Sequence, residues 1–267
     1  MKLPESEVLM RMKLLKNELY KLFRTKKLYV FAAIILAVLL LNLHNYQPGS
    51  ERTIWTFTYG QSAPLVLINI LSQFMVIFIP IIIGDSISNE YRQGTLKLSL
   101  LRPITRSQLL RAKVASLFVF ISIMVLFFII ASYAIGTYFL GWGSGTEYAG
   151  QLYTPIEGLL LTLGANALLI LPFMAYGLFV TFIAVLSSNM SLTVISSLVI
   201  MTIGLNLNVF EAIAPYSLAY HIAYFHENFV HTLDWRLALQ STGIIAIYLA
   251  AFSLFSFYKF KKKEILY

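Results

Sequence analysis

The chain has 267 residues, 58% of them apolar and only 12% charged, where a soluble domain carries about a quarter charged. Its mean hydropathy of +0.76 places it among integral membrane proteins, and the lack of cysteine excludes a disulfide framework or a thiolate metal site. The net charge of +8 is concentrated in three segments, so it reads as a topology signal and not as a nucleic-acid footprint.

Residues 1–27 hold eight Lys/Arg and three Glu, and the first long apolar run starts at Leu28 with no small-residue cleavage site after it. The first span is therefore expected to be retained and not removed as a signal peptide. Val8, Met12, Leu15, Leu19 and Leu22 recur at helical spacing, with Lys13, Lys16, Lys21 and Arg24 between them. That pattern predicts an amphipathic helix lying along the inner leaflet, against membrane lipids.

Six apolar segments follow, at 28–43, 64–83, 114–140, 158–186, 191–210 and 237–258. A spanning helix needs ~20 residues, so the expected fold is all-α, a polytopic membrane protein of six transmembrane helices (28–258). The first segment is short, and the third and fourth are long enough to tilt or to leave the bilayer. Ser187, Ser188 and Asn189 supply the turn inside an otherwise uncharged run, and Pro172 is placed to kink the fourth span.

Lys and Arg number eight in 1–27, six in 84–113 and four in 259–267, against only Arg52 and Arg236 elsewhere. The positive-inside rule then predicts both termini, the basic tail included, on the cytoplasmic side of the inner (plasma) membrane. Trp55, Trp142, Tyr148, Tyr153 and Trp235 fall near the outer ends of spans, where aromatic rings favour the interface.

The segment 84–113 is patterned. Gly94 and Pro103 punctuate it, and residues 95–101 fit a short helix carrying Leu96, Leu100 and Leu101, which Pro103 would stop. Thr105 and Gln108 then fit a capping box that starts a helix running through Lys113 into the third span. A structured basic loop with leucines suggests a docking surface; a loop that merely obeys the positive-inside rule is the plainer alternative.

Glu90, Tyr91, Arg92, Gly94, Thr95 and Leu96, followed by Leu100, Leu101, Arg102, Pro103, Ile104, Thr105, Arg106 and Lys113, resemble the signature loop of ABC-2 type transporter permeases. The resemblance implies a transmembrane permease subunit with an N-terminal elbow helix and a coupling helix that seats in a groove on a separate ATPase. It implies a complex of two permeases, identical or closely paralogous, with two ATPase subunits. ATP and Mg would sit on that partner: this chain has no G-x-x-x-x-G-K-[ST] and is expected to bind no cofactor, metal or nucleic acid itself. The site residues implied for coupling are Glu90, Tyr91, Arg92, Gly94, Thr95, Leu96, Leu100, Leu101, Arg102, Pro103, Thr105 and Arg106.

Asn69, Ser72 and Gln73 share a face of span two, and Thr202, Asn206 and Asn208 mark span five. The resemblance makes these pathway-lining; interhelical hydrogen bonding accounts for them equally well. The resemblance also implies that the outer region, 211–236, re-enters the membrane as short helices. A largely apolar path suits export of a lipid, peptide or antibiotic of hydrophobic or amphipathic character. Two alternatives remain: a permease that passes motion to an extracytoplasmic partner without moving a solute, and an integral membrane enzyme. For the latter the chain offers neither H-E-x-x-H nor G-x-S-x-G, and no catalytic residue is assigned.

Overall fold

A computed structural model describes residues 5–46, 58–95, 104–230 and 235–263, with side chains from residue 12 onward. The expected segments at 96–103 (Leu96, Leu100, Leu101, Arg102 and Pro103), Trp55 and the side chain of Val8 lie outside the described residues.

The described helices are α1 (Glu5–Arg24), α2 (Lys26–His44), the single turn α3 (Ala63–Val66), α4 (Ile68–Ile83), the short α5 (Glu90–Arg92) and α6 (Arg106–Leu140). After them come α7 (Pro155–Leu168), α8 (Ile170–Ser187), α9 (Met190–Leu207), α10 (Leu218–Tyr224), α11 (Glu227–Val230) and α12 (Trp235–Lys262). Six candidate membrane spans emerge: Lys26–His44, Ile68–Arg92, Arg106–Leu140, Pro155–Ser187, Met190–Leu207 and Trp235–Lys262. The protein is thus a multi-pass, helical membrane protein. One small departure from all-α is a ribbon, β1 (Thr146–Tyr148) antiparallel to β2 (Gln151–Tyr153), with Glu147 opposite Leu152. Ala149 and Gly150 both have positive φ, the requirement of a tight two-residue hairpin turn.

Helix α6 is the hub. At 35 residues it is about 52 Å long at ~1.5 Å per residue, well over the ~30 Å hydrocarbon core. It packs against α1, α2, α4, α7, α8 and α12. Its start has the capping box expected there: Thr105 Oγ1 accepts from Gln108 N–H (3.2 Å), and Gln108 Oε1 accepts from Thr105 N–H (2.9 Å). Phe31 of α2 stacks on Phe78 of α4 at 4.0 Å and meets Phe120 of α6 edge-on. At the opposite end of α6, Gly136 abuts the 3₁₀ turn Gly60–Ser62 so closely that a Cβ on Gly60 would lie 2.1 Å from the Gly136 carbonyl oxygen.

Two prolines shape the spans. Pro80, inside α4, has no N–H to give the carbonyl of Val76. The buried Tyr176 hydroxyl of α8 donates to that carbonyl instead, at 3.0 Å. Pro172 stands at the expected kink of the fourth span: its ring opposes the carbonyl four residues back, and Leu169 alone breaks the α-helical run between α7 and α8, which together form one candidate span. The turn after α8 closes with Ser188 in the left-handed conformation, and Asn189 caps α9 by accepting from Ser191 N–H and Leu192 N–H.

Candidate functional site

Helix α1 lies along α6. Its inward face carries Leu22 and, unexpectedly, Glu18, both buried. On α6 the buried stripe of Leu109, Leu110, Leu117 and Phe120 includes Lys113. Between them comes the end of span two. Gly84–Asn89 is π-helix, a wider turn that leads into α5 and Glu90.

These elements bring four charges into a closed ring. Lys113 Nζ donates to Glu18 Oε2 at 3.0 Å and to Glu90 Oε2 at 2.8 Å. Lys21 Nζ donates to Glu18 Oε1 and Glu90 Oε1, both at 2.9 Å. Each carboxylate thus bridges two ammonium groups with separate oxygens, and two positive charges meet two negative ones. Lys113 also reaches the Ser86 carbonyl (2.8 Å) and hydroxyl (3.2 Å). Its side chain is 2% exposed and that of Glu18 5%, whereas Lys21 is 40% exposed.

Burial pushes the Glu18 carboxyl up, but Lys113 and Lys21 together outweigh it and hold the group below its ordinary value. Burial likewise pushes Lys21 down, and its bonds to Glu90 and Glu18 reverse the sign, so Lys21 is raised. A second pair, Lys27 to Asp85 at 2.6 Å, ties the start of α2 to the π stretch. A cavity of about 480 Å³ opens beside the ring, walled by Asn17 and Leu22 on one side and Asp85, Asn89 and Gln93 on the other.

The ring holds both stems of the loop between α5 and α6: Glu90 stands just before it and Lys113 two turns after it. Of the other residues expected to matter there, Tyr91 lies under Lys263 Nζ, 4.2 Å from the ring centre. Arg92 is exposed and bonds only weakly to Asn89, at 3.4 Å. Gly94 takes φ of 72°, with nothing among the described residues within 4 Å of an added Cβ, and ends the helix. Thr95 Oγ1 donates to the Glu90 carbonyl at 3.2 Å. Arg106 turns to the chain's own tail, donating to the carbonyls of Lys261 (3.1 Å) and Lys263. Lys263 in turn reaches the Val185 carbonyl and the Ser188 hydroxyl, and burial lowers its pKa. Ser88 of the π stretch shares a hydrogen bond with Thr193 of α9 at 2.9 Å. Stems, tail, α1 and the α8–α9 turn therefore form one connected polar layer at the basic end of the bundle.

Glu18 and Lys113 are not among the site residues expected from the sequence, yet both are legible there. Glu18 falls three residues from Leu15 and four from Leu22, on the apolar face of α1; Lys113 falls four from Leu109 and from Leu117. A charge on an apolar stripe needs a partner.

The expected pathway residues divide. Spans two and five do pack together, as α4 and α9. Ser72 is buried and its hydroxyl has no partner among the described residues, Asn69 is half-buried and Gln73 exposed. Thr202 and Asn206 are exposed and bond back to their own helix, at 2.9 Å to the Leu198 carbonyl and 2.7 Å to the Thr202 carbonyl. The Asn208 side-chain oxygen is buried and has no partner among the described residues. At this far end His221 and His226 are both buried, and burial lowers each to about 4. Among the described residues no three His, Asp or Glu side chains gather as metal ligands.

The chain is 25% identical over 244 residues to "Uncharacterized protein YhcI" of Bacillus subtilis (strain 168), an overlap of 83% of this chain and 72% of that protein. The family described as "Protein of unknown function (DUF2705)" matches residues 29–266, a stretch that includes Glu90 and Lys113 and begins after α1. On that match the chain belongs to the DUF2705 family.

Proposed function

We propose that this chain is the membrane subunit of an ATP-driven transporter of the ABC-2 type. A separate ATPase would dock on the loop between α5 and α6, and the substrate would be a hydrophobic or amphipathic molecule. The observation that carries the reading is the ionic ring. It clamps both stems of the loop to α1, so a push on the loop reaches α4, α6 and α1 at once. Through Ser88 and Thr193 it reaches α9 as well.

Buried charges suit such a transmission point. An ion pair of this kind contributes little net stability over apolar packing, but it is costly to break on one side only. It therefore favours moving its elements together over letting one slip. The basic end faces the cytoplasm in this reading, with ATP and Mg held by the partner and none by this chain.

Co-expression with an ATPase encoded beside it, followed by native mass measurement, tests the proposal. A two-plus-two complex is expected, and Leu100→Asp in the loop should lower ATPase retention while leaving the permease in the membrane. A permease that never retains an ATPase overturns the assignment.

A further inference from the structure

Far from the ring, a second cavity of about 410 Å³ lies between α8, α9, α12 and the segment leading into α10. Its size falls in the range of small-molecule sites, ~300–1,000 Å³. Its deep end is aromatic, with Phe179 of α8 and Phe252 of α12 in edge contact at 5.1 Å. Its other end reaches Tyr216 and Ser217, just before α10. Across that end the Tyr248 hydroxyl already donates to the Tyr216 carbonyl, at 2.9 Å. The walls offer hydrocarbon and aromatic faces and no charged group.

The opening fixes what can enter. Ile200, Ile203 and Leu207 of α9 form one rim and are themselves exposed. They continue an exposed apolar face of the same span that includes Leu192, Ile195 and Val199. Thr202 and Asn206 of the same helix are exposed too, each bonded back to its own backbone; where this face of a bilayer-length helix meets lipid, the cavity opens sideways into hydrocarbon. From Ile200 to Leu207 it runs about 10 Å along the helix at ~1.5 Å per residue, a large part of one leaflet's ~15 Å of hydrocarbon.

We infer that this groove holds one acyl chain of a bilayer phospholipid, with the headgroup beside Tyr216 and the tail running down to Phe179 and Phe252. The site stands whether or not an ATPase docks at the other end. Gly204 keeps the groove open: a Cβ there would approach Ala219 Cβ to 3.1 Å, and a larger side chain would fill the space.

The test uses the full-length protein in phosphatidylglycerol–phosphatidylethanolamine vesicles doped with a phospholipid that carries a photoreactive acyl chain. Peptide mapping after irradiation should find adducts enriched several-fold at 200–219 over the exposed α12 positions Ile247 and Leu254. Gly204→Leu should remove that enrichment while labelling at Ile247 persists. Should Gly204→Leu fail to fold, an excess of unlabelled phospholipid must reduce groove labelling in the wild type more steeply than labelling at Ile247. Even labelling of groove and α12 means annular lipid only and overturns the proposal. So does a photoreactive side chain at Ile203 that captures a second copy of the chain in place of lipid.

Discussion

Lys113 gives its three protons to two carboxylates and to Ser86, in a place that water barely reaches. Removing Lys113 leaves Glu18 and Glu90 to share Lys21 alone, and breaking a buried pair on one side costs about 3–5 kcal/mol. Lys113→Met should therefore lower thermal stability in detergent sharply. Lys113→Met combined with Glu18→Gln should be less damaging than the sum of the two, because neutral partners are left behind; strict additivity would mean the pair does not interact. The pH dependence has a definite sign. Glu18 is lowered from an ordinary 4.5, so its contribution is complete above about that pH and is lost as pH falls through the lower folded value. Lys21 is raised from 10.5, so its contribution is complete below that and is lost as pH rises through the higher folded value. A fluorophore at Met12→Cys, in a chain with no other cysteine, should report α1 in place at neutral pH and released only as pH falls from Glu18's ordinary 4.5 towards its lower folded value. Tyr176 makes a second residue-scale case. Tyr176→Phe strands the Val76 carbonyl and should cost about 1–3 kcal/mol. In a Pro80→Ala background, where residue 80 has its own N–H to donate, the same change should cost much less in denaturation measurements.

Among elements, the contact of the 3₁₀ turn with α6 depends on two glycines meeting backbone to backbone. Gly60→Ala should destabilise the fold by about 1–3 kcal/mol, the cost of overpacking a close contact. Gly164→Ala on α7, with nothing within 4 Å of the added Cβ, should instead stabilise by up to about 1 kcal/mol through helix propensity; opposite shifts in melting temperature check the pair. The spans themselves are readable in the sequence because an apolar run of ~20 residues matches the bilayer core and exceeds what a soluble core helix needs. The start of α6 is readable because a capping box is local chemistry. Three features are not. Pro172 marks a kink in the fourth span in the sequence, but the residue that breaks the run, Leu169, depends on where that ring meets the preceding turn. The π stretch has no residue signature of its own. The hairpin turns on Ala149, a residue seldom used at positive φ. The ring is partly visible: Glu90 and Lys113 stand in the motif-like segment and Glu18 interrupts the apolar face of α1, while Lys21 reads as part of a wet helix face and the pairing of the four comes only from the fold.

Taken whole, the molecule has two unlike ends. One gathers α1, both stems of the loop, the α8–α9 turn and the tail into a charged layer; the other has the ribbon, the buried histidines and the apolar groove. The Lys/Arg distribution predicts that the charged end faces inward. In intact cells an impermeant thiol reagent should label Gln151→Cys and leave Ser107→Cys unlabelled, and the reverse pattern would invert the whole orientation.

The ring also sets an order of events. Glu18 is made early, but Lys113 follows it by 95 residues. At ~5–20 residues per second, that is a wait of roughly 5–19 s on the ribosome. Until then α1 has an acidic group on its apolar face with Lys21 as its local counter-charge. The N-terminal helix can seat fully only after the third span has begun to emerge, so its docking cannot precede the start of that span.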